Sequence, residues 1–422
     1  MKSVEEIKNF SLIKNEPTWM TDLRVEAAAK FDELDLPIIE RARYHRWNLF
    51  QGDFDKEEVT GNVPAFDTTD NHAQIVQVGT QTVLEQLPSE LAEQGVIFTD
   101  MFTAMTEHAE LFEQYFMKQA VKPFENKMTT QHVAELNSGV FLYVPKDVKV
   151  EEPIESLLFQ DANSDVPFNK HVLIVADTHS EFTYLERFGM TGEGESKSSA
   201  NIVVEVVTNT GAKVKFSAID RLGENMTTFM TRRGYLGPDS EIDWAIGIMN
   251  DGNIVADFDS ELVGNGSESE MKVVALSSGR QVQAVDTRVT NYGHHTKGNI
   301  LQHGVILDRG TLTFNGIGHI IKGAKFADAQ QETRVLMLSD KARADANPIL
   351  LIDENEVTAG HAASLGRVDP EDMYYLMSRG IEKREAERLV IRGFLGSVIT
   401  AIPVKSVQKE FVDMIEGKLM AQ

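Results

Sequence analysis

The sequence predicts a mainly β protein: a long β body, read as a right-handed parallel β-helix, set between N-terminal and C-terminal α-helical regions. Three observations carry the prediction. From about residue 135 the chain turns into short β-branched or alternating runs, with turn residues recurring at intervals of about 12 to 18. No helical pattern of 10 to 15 residues interrupts those runs, which disfavours βαβ units. Helical periodicity is confined to the two ends. The expected division is 1–134 for an N-terminal helical region with a loop-rich segment, 135–368 for the β-helix core and 369–422 for the C-terminal helices.

In the N-terminal region, Trp19, Met20, Leu23, Ala27, Phe31 and Leu34 recur every three to four residues from Pro17, with polar Asp22, Arg24, Glu26 and Lys30 between them. A second stretch, Thr99 to Lys118, sets Met101, Met105, Phe112 and Phe116 on one stripe. Such stripes of Met and aromatic residues read as core. Between them, Asn48 to His72 carries Gly52, Gly61, Pro64 and several Asp and Thr, the composition of a long surface connection.

The β body is read from eight runs: 140–144, 171–175, 202–207, 213–219, 253–258, 271–276, 299–307 and 311–320. A sandwich, a barrel and a β-helix all accommodate such runs. About 200 residues is large for one sandwich, and repeated two-residue Asn-Gly hairpin turns are missing, so the irregular spacing favours a parallel β-helix. No strict repeat accompanies it.

Helices return at Asp369-Pro370-Glu371-Asp372, which supplies an N-cap, a proline in the first turn and acids beside the positive end of the helix dipole. Gly380 follows Arg379 as a C′ residue, giving a helix over 370–379. Two more are predicted over 382–399 and 407–419, separated by Pro403.

Composition removes whole classes of function. The chain has no cysteine, so disulfides, thiolate nucleophiles, Cys-type zinc sites and a self-ligated Cys iron–sulfur cluster are excluded. Acids outnumber bases by 65 to 41, a net charge of −24 that repels phosphate backbones and anionic lipid. Neither a nucleic-acid nor a membrane partner is expected. The opening residues lack an apolar signal-peptide core, and no run of about 18 apolar residues occurs, so a cytoplasmic protein is expected.

Enzyme motifs are equally scarce. GxxxxGK[ST], HExxH and GxSxG do not occur, so the chain is not itself a P-loop ATPase. Five of the 11 histidines fall between His294 and His361. His294 and His295, if in a strand, point to opposite faces and cannot chelate together. His303 and His319 read as structural histidines. His361 lies in Val357-Thr358-Ala359-Gly360-His361-Ala362-Ala363-Ser364-Leu365, where extended geometry groups it with Val357, Ala359, Ala363 and Leu365, among small residues that let another backbone approach. That describes either a hydrogen-bonded core group or part of an interface. Arg379, Lys383, Arg384, Arg388 and Arg392 gather cations in an acidic protein, interspersed with Glu382, Glu385 and Glu387. They form a solvated helix laced with i,i+4 pairs or a docking face for an acidic partner.

Several of these segments together resemble the SufB/SufD family of iron–sulfur cluster assembly proteins. They are Asn347-Pro348-Ile349-Leu350-Leu351-Ile352, Val357 to Ala363, Gly366-Arg367-Val368-Asp369 and Met373 to Ile381, with Gly310 to Gly316 upstream and Glu16-Pro17-Thr18-Trp19 with Leu23-Arg24 near the start. The resemblance implies a right-handed parallel β-helix between helical regions. It also implies a SufD-type subunit, because SufB-type members carry a cysteine implicated in building the cluster. A SufD-type chain pairs with a SufB-like subunit and docks two copies of a SufC-like ATPase through its C-terminal helices.

Carried over residue by residue, the histidine of the family's SHGA-like motif falls on His361, near the interface with SufB, where it assists iron or cluster handling and is the one metal-ligand candidate. Ala362 stands where glycine is usual, so a positive φ there would strain it. The docking region for SufC covers Tyr374, Tyr375, Arg379, Lys383, Arg384 and Arg388. No catalytic residue is expected in this chain, with ATP hydrolysis assigned to the SufC-like partner. No cofactor is expected to be bound stably by this chain alone, only a transient iron or nascent iron–sulfur cluster in the complex. Two alternatives are a purely structural subunit and, from the acidic β-rich body alone, a β-helix enzyme acting on polysaccharide.

Overall fold

The computed structural model describes residues 2–56, 63–64, 72–400 and 404–420. Much of the loop-rich segment, and Pro403, lie outside the described residues.

Sixteen strands from Ser138–Val144 to Thr358–Arg367 alternate between two sheets, so each strand pairs in parallel with the strands two before and two after it. The result is a flattened parallel β-helix of about 8 turns, flanked by helices at both ends. Parallel sheets with both faces covered read as continuous apolar runs. Ser198–Thr208, buried at every position, is the clearest case: one face lines the interior and the other lies under the N-terminal helices.

The coil length drifts, which is why no strict repeat is visible in the sequence. Ser138 pairs with Lys170, 32 residues on. The offset falls to 26 where Thr227 meets Asn253 and returns to 32 where Thr311 meets Arg343. What repeats is a conformation. Asp147, His179, Gly211, Asp239, Gly266, His295 and Phe326 occupy the same corner of seven successive coils, all with positive φ between 54° and 72°. Each donates its backbone N–H to the carbonyl of a residue in the next coil, from Asp147 to Thr178 through to Phe326 to Glu356, at 2.6–3.0 Å. Only two of the seven are glycine, so residue type conceals the repeat.

The two ends of the solenoid differ. At the N-terminal end, Gln74–Val78 continues one sheet in parallel with Ile154–Asp161 and turns back as a hairpin with Gln81–Gln86, while Ile97–Asp100 pairs antiparallel with Ser138–Val144. The hairpin and Ile97–Asp100 fall in the region read as helical. The stretch from Thr99 likewise begins as strand and then forms two short helices, Met101–Glu107 and Ala109–Tyr115, broken at His108. At the other end, Arg343–Ile352 and Thr358–Arg367 are the last strands of their sheets, and among the described residues no further strand pairs with them.

Helix Thr18–Lys30 holds a correction to the periodicity reading. Arg24, read as a polar spacer, is fully buried. Its guanidinium pairs with Glu16 at 2.6 Å, and both side chains are shielded from solvent. Its remaining N–H groups go to the carbonyls of Val133 (3.2 Å), Ala134 (3.1 Å) and Leu136 (2.9 Å) at the C-terminus of helix Lys127–Glu135. A cation there satisfies orphan carbonyls and the negative end of the helix dipole.

At the C-terminus, helix Pro370–Ser378 starts as the sequence predicts, with the Asp369 side chain accepting from Glu371 N and Gly380 at φ 87° past its end. Helices Lys383–Thr400 and Lys405–Met420 pack as a pair on the outer face of one sheet. Ile391, Leu395, Phe411 and Ile415 bury themselves against Leu276, Val305 and Leu336. Phe411 presses on Gly247, where a Cβ would stand 2.4 Å from the ring.

Candidate site at the open end of the solenoid

His361 sits in the final strand, directly opposite Gln331 of the preceding coil. Following the register back one coil at a time gives Gln331, Ile300, Met271, Trp244, Phe216 and Tyr184. This column faces the solenoid interior. Its aromatic members are completely buried and pack at a tilt on one another, with Tyr184 and Phe216 centroids 5.4 Å apart and Phe216 and Trp244 4.7 Å apart. His361 is therefore an inward-facing residue by position, yet it is exposed, because no further coil covers it. Ala359, Ala363 and Leu365 share its face, and Ala362 lies in the strand without a positive φ.

The interior becomes polar towards this end. Thr333 donates to Gln302 at 2.8 Å, and Gln302 donates to Thr287 at 2.9 Å. Gln331 donates to the Ile349 carbonyl at 2.7 Å, while its own side-chain oxygen is buried without a partner. Gly316 and Gly318 on the facing sheet leave room for that amide: a Cβ on either would come within 3.0 Å of it. On the rim, Leu351, Ile352 and Leu365 are each 45% exposed, an apolar edge beside unpaired strand backbone.

Helix Pro370–Ser378 follows the last strand after two residues and buries none of its side chains. Tyr374 is 75% exposed and Tyr375 57%, with the Arg379 guanidinium 5.2 Å above the Tyr375 ring. The cations beyond it divide. Lys383 and Arg384 lie on the exposed surface of the next helix, Lys383 facing Glu387 at 3.8 Å. Arg388 and Arg392 both reach Glu416 at 2.9 Å, so they tie the last two helices together rather than form only the i,i+4 lacing read from spacing.

The other histidines separate just as clearly. His294 and His295 lie in a turn, not a strand; His295 takes the left-handed corner position and stacks on Phe326 at 4.8 Å. His319 faces Asp353 at 3.3 Å. His303 is buried on the outer sheet face beneath helix Lys383–Thr400.

Two buried polar clusters escaped the sequence reading. Inside the solenoid, Arg232 is held by Asp220 (2.7 and 2.8 Å) and Glu186 (2.7 Å), and burial pushes the Glu186 carboxyl up to about 7. Under the N-terminal helices, His132 lies 3.0 Å from His171, and His171 Nε2 lies 3.2 Å from Glu205. The Glu205 carboxylate accepts from Met117 N (2.8 Å) and Val121 N (2.9 Å). Burial lowers His171 to about 3 and raises Glu205 to about 7. Isolated His, Arg and Glu in β runs carry no sequence signal that they converge. Among the described residues, no three His, Asp or Glu side chains form a group able to hold a metal ion.

Residues 8–155 match the SufBD protein N-terminal region, and residues 159–394 match the SufBD core domain of SUF system FeS cluster assembly. The chain is 44% identical, over 98% of its length and 97% of the relative's, to the iron–sulfur cluster assembly protein SufD of Bacillus subtilis. It is 25% identical, over 94% of its length and 89% of the relative's, to an iron–sulfur cluster assembly SufBD family protein of Staphylococcus epidermidis. A solenoid with one uncovered end, matched along nearly its whole length to these proteins, belongs to the SufB/SufD family of iron–sulfur cluster assembly proteins.

Proposed function

We propose that this chain is the SufD-type subunit of a cytoplasmic SUF assembly complex, non-catalytic in itself, in which its open solenoid end pairs with a SufB-like subunit and its exposed C-terminal helix docks a SufC-like ATPase. The observation that carries the reading is the asymmetry of the solenoid: one end finishes in antiparallel strands, the other in two parallel strands, of which Thr358–Arg367 is exposed along most of its length beside an apolar rim. Unpaired strand edges of this kind seek a partner backbone. His361 stands at that end and would supply a neutral imidazole nitrogen to an iron or nascent cluster passing between subunits, as substrate rather than as a resident cofactor. Tyr374 and Tyr375, exposed aromatics beside Arg379, have the composition of an interface anchor. ATP-driven movement of the docked ATPase would pull on helix Pro370–Ser378 and, two residues away, on the strand bearing His361.

Co-expression with SufB-like and SufC-like partners tests the proposal. Tyr374→Ala with Tyr375→Ala should release the ATPase and leave the SufB-like subunit bound; retention of the ATPase would move its contact elsewhere. His361→Ala should leave the complex intact and lower its iron and sulfide content. Unchanged content would reduce the chain to a structural subunit.

A further inference from the structure

His303 joins the helix pair to the last coils through both ring nitrogens. It is 2% exposed. Its ring packs against Phe394 of helix Lys383–Thr400 with centroids 5.2 Å apart, and Nδ1 lies 3.3 Å from the Phe394 carbonyl oxygen. On the other side, Nε2 lies 3.4 Å from Glu332 Oε1. Glu332 is also gripped by Arg334, at 2.9 and 3.0 Å, and stands in register opposite Ala362, the neighbour of His361.

Both partners of the ring are acceptors. A neutral imidazole carries one N–H, on Nδ1 or on Nε2, and can satisfy only one of them at a time. Burial holds the His303 pKa below its ordinary value, so the neutral ring is the form present near neutral pH. Both contacts are long for hydrogen bonds, as befits one proton contested by two acceptors. The two tautomers are a two-state element: with the proton on Nδ1 the ring binds the helix, and with the proton on Nε2 it binds the sheet.

We propose that His303 is a positioning residue that transmits movement of helix Lys383–Thr400 to the terminal strands by exchanging its single ring proton between the Phe394 carbonyl and Glu332. Withdrawal of the helix removes the acceptor at Nδ1 and admits water, which takes the Nδ1 proton as another is delivered to Nε2, and the ring then holds Glu332 beside the strand that carries His361. No charge is created and no further reactant is consumed. The inference deepens the function proposed above, resting on it for what moves the helix, whereas the link itself is a property of this chain alone.

The test uses the full chain without partners, labelled with ¹⁵N-histidine, and reads ring tautomers from long-range proton–nitrogen correlations, the His303 signals being identified by their loss in His303→Gln. Loosening the helix with Leu395→Ala should raise the ratio of Nε2–H to Nδ1–H at least twofold. Glu332→Ala, a change at a partly exposed side chain, should move the ratio the other way. A ratio unaltered by both substitutions overturns the proposal, since a merely packed ring would keep its tautomer. If Leu395→Ala fails to fold, Phe411→Leu in the neighbouring helix loosens the same pair. Because no ATPase is present, failure here leaves the docking proposal standing, and failure of docking leaves this link standing.

Discussion

Replacing Arg24 by methionine should open the N-terminal helical layer locally. The side chain fills the junction of two helices, so methionine keeps much of the volume and removes the charge and every N–H donor. What remains is a buried Glu16 carboxylate, held among the described residues by Ser11 Oγ at 2.6 Å, and three carbonyls at the end of helix Lys127–Glu135 that have lost the Arg24 donor. Breaking one side of a buried ion pair costs about 3–5 kcal/mol. Converted at about 1.4 kcal/mol per tenfold, that is roughly two to three and a half orders of magnitude in the opening equilibrium. Amide hydrogen exchange in helix Lys127–Glu135 should therefore quicken by about 10²-fold or more, up to the ceiling set by global unfolding. Adding Glu16→Gln should recover part of the loss, since the stranded charge is then gone. An acceleration below about tenfold in the single variant would refute the claim that this pair pins the layer.

Three further outcomes follow from buried contacts. Gly247→Ala thrusts a methyl group into the Phe411 ring, and overpacking of this kind costs about 1–3 kcal/mol; limited proteolysis should cut the C-terminal helices faster, with Phe411→Leu restoring resistance. Arg232→Met leaves Glu186 and Asp220 buried without their cation. The Glu186 carboxyl already titrates near 7 in the fold, above its unfolded value, so its contribution is fully present at low pH and lost as pH rises through 7. The drop in melting temperature from pH 5.5 to pH 7.5 should thus be larger in the variant than in the parent, and equal drops would contradict the assignment. Glu205→Gln keeps one acceptor oxygen for two backbone N–H groups, which should cost about 1–3 kcal/mol and speed exchange at Met117 or Val121; unchanged exchange at both would sink the clasp.

How much was legible follows from which faces are buried. Strands with an apolar residue on both faces, such as Ser198–Thr208, stand out as runs. Glu181–Thr191 and Asp328–Met337 do not, because their outward side chains are charged and, in the second, Gln331 and Thr333 point into the core. From the residues alone the β-helix was favoured by the length of the β body, its irregular spacing and the absence of repeated hairpin turns. Its real periodicity is a left-handed corner that Asp, His and Phe occupy as well as Gly. Helix Pro370–Ser378 was readable to within a residue because its cap, proline and terminal glycine are local signals. His361 was found through a motif, but its place at the end of a buried aromatic column depends on register across six coils, which no local pattern encodes. Arg24 was missed for the converse reason: an arginine in an amphipathic pattern looks like solvent-facing punctuation until the carbonyls it caps, more than a hundred residues away, are known.

Unequal ends also settle how far such a solenoid can grow. A β-helix exposed at both ends would accept a strand at each and stack into fibres of unlimited length. Here the outermost strands at one end, Gln81–Gln86 and Ile97–Asp100, run antiparallel to their neighbours, so a further parallel coil does not continue the stack there. The edge formed by Arg343–Ile352 and Thr358–Arg367 keeps the parallel direction of the coils and can receive a further coil. If the body received there is sealed at its own far end, the assembly stops at two, so stoichiometry is limited by a stopper on one side rather than by affinity on the other.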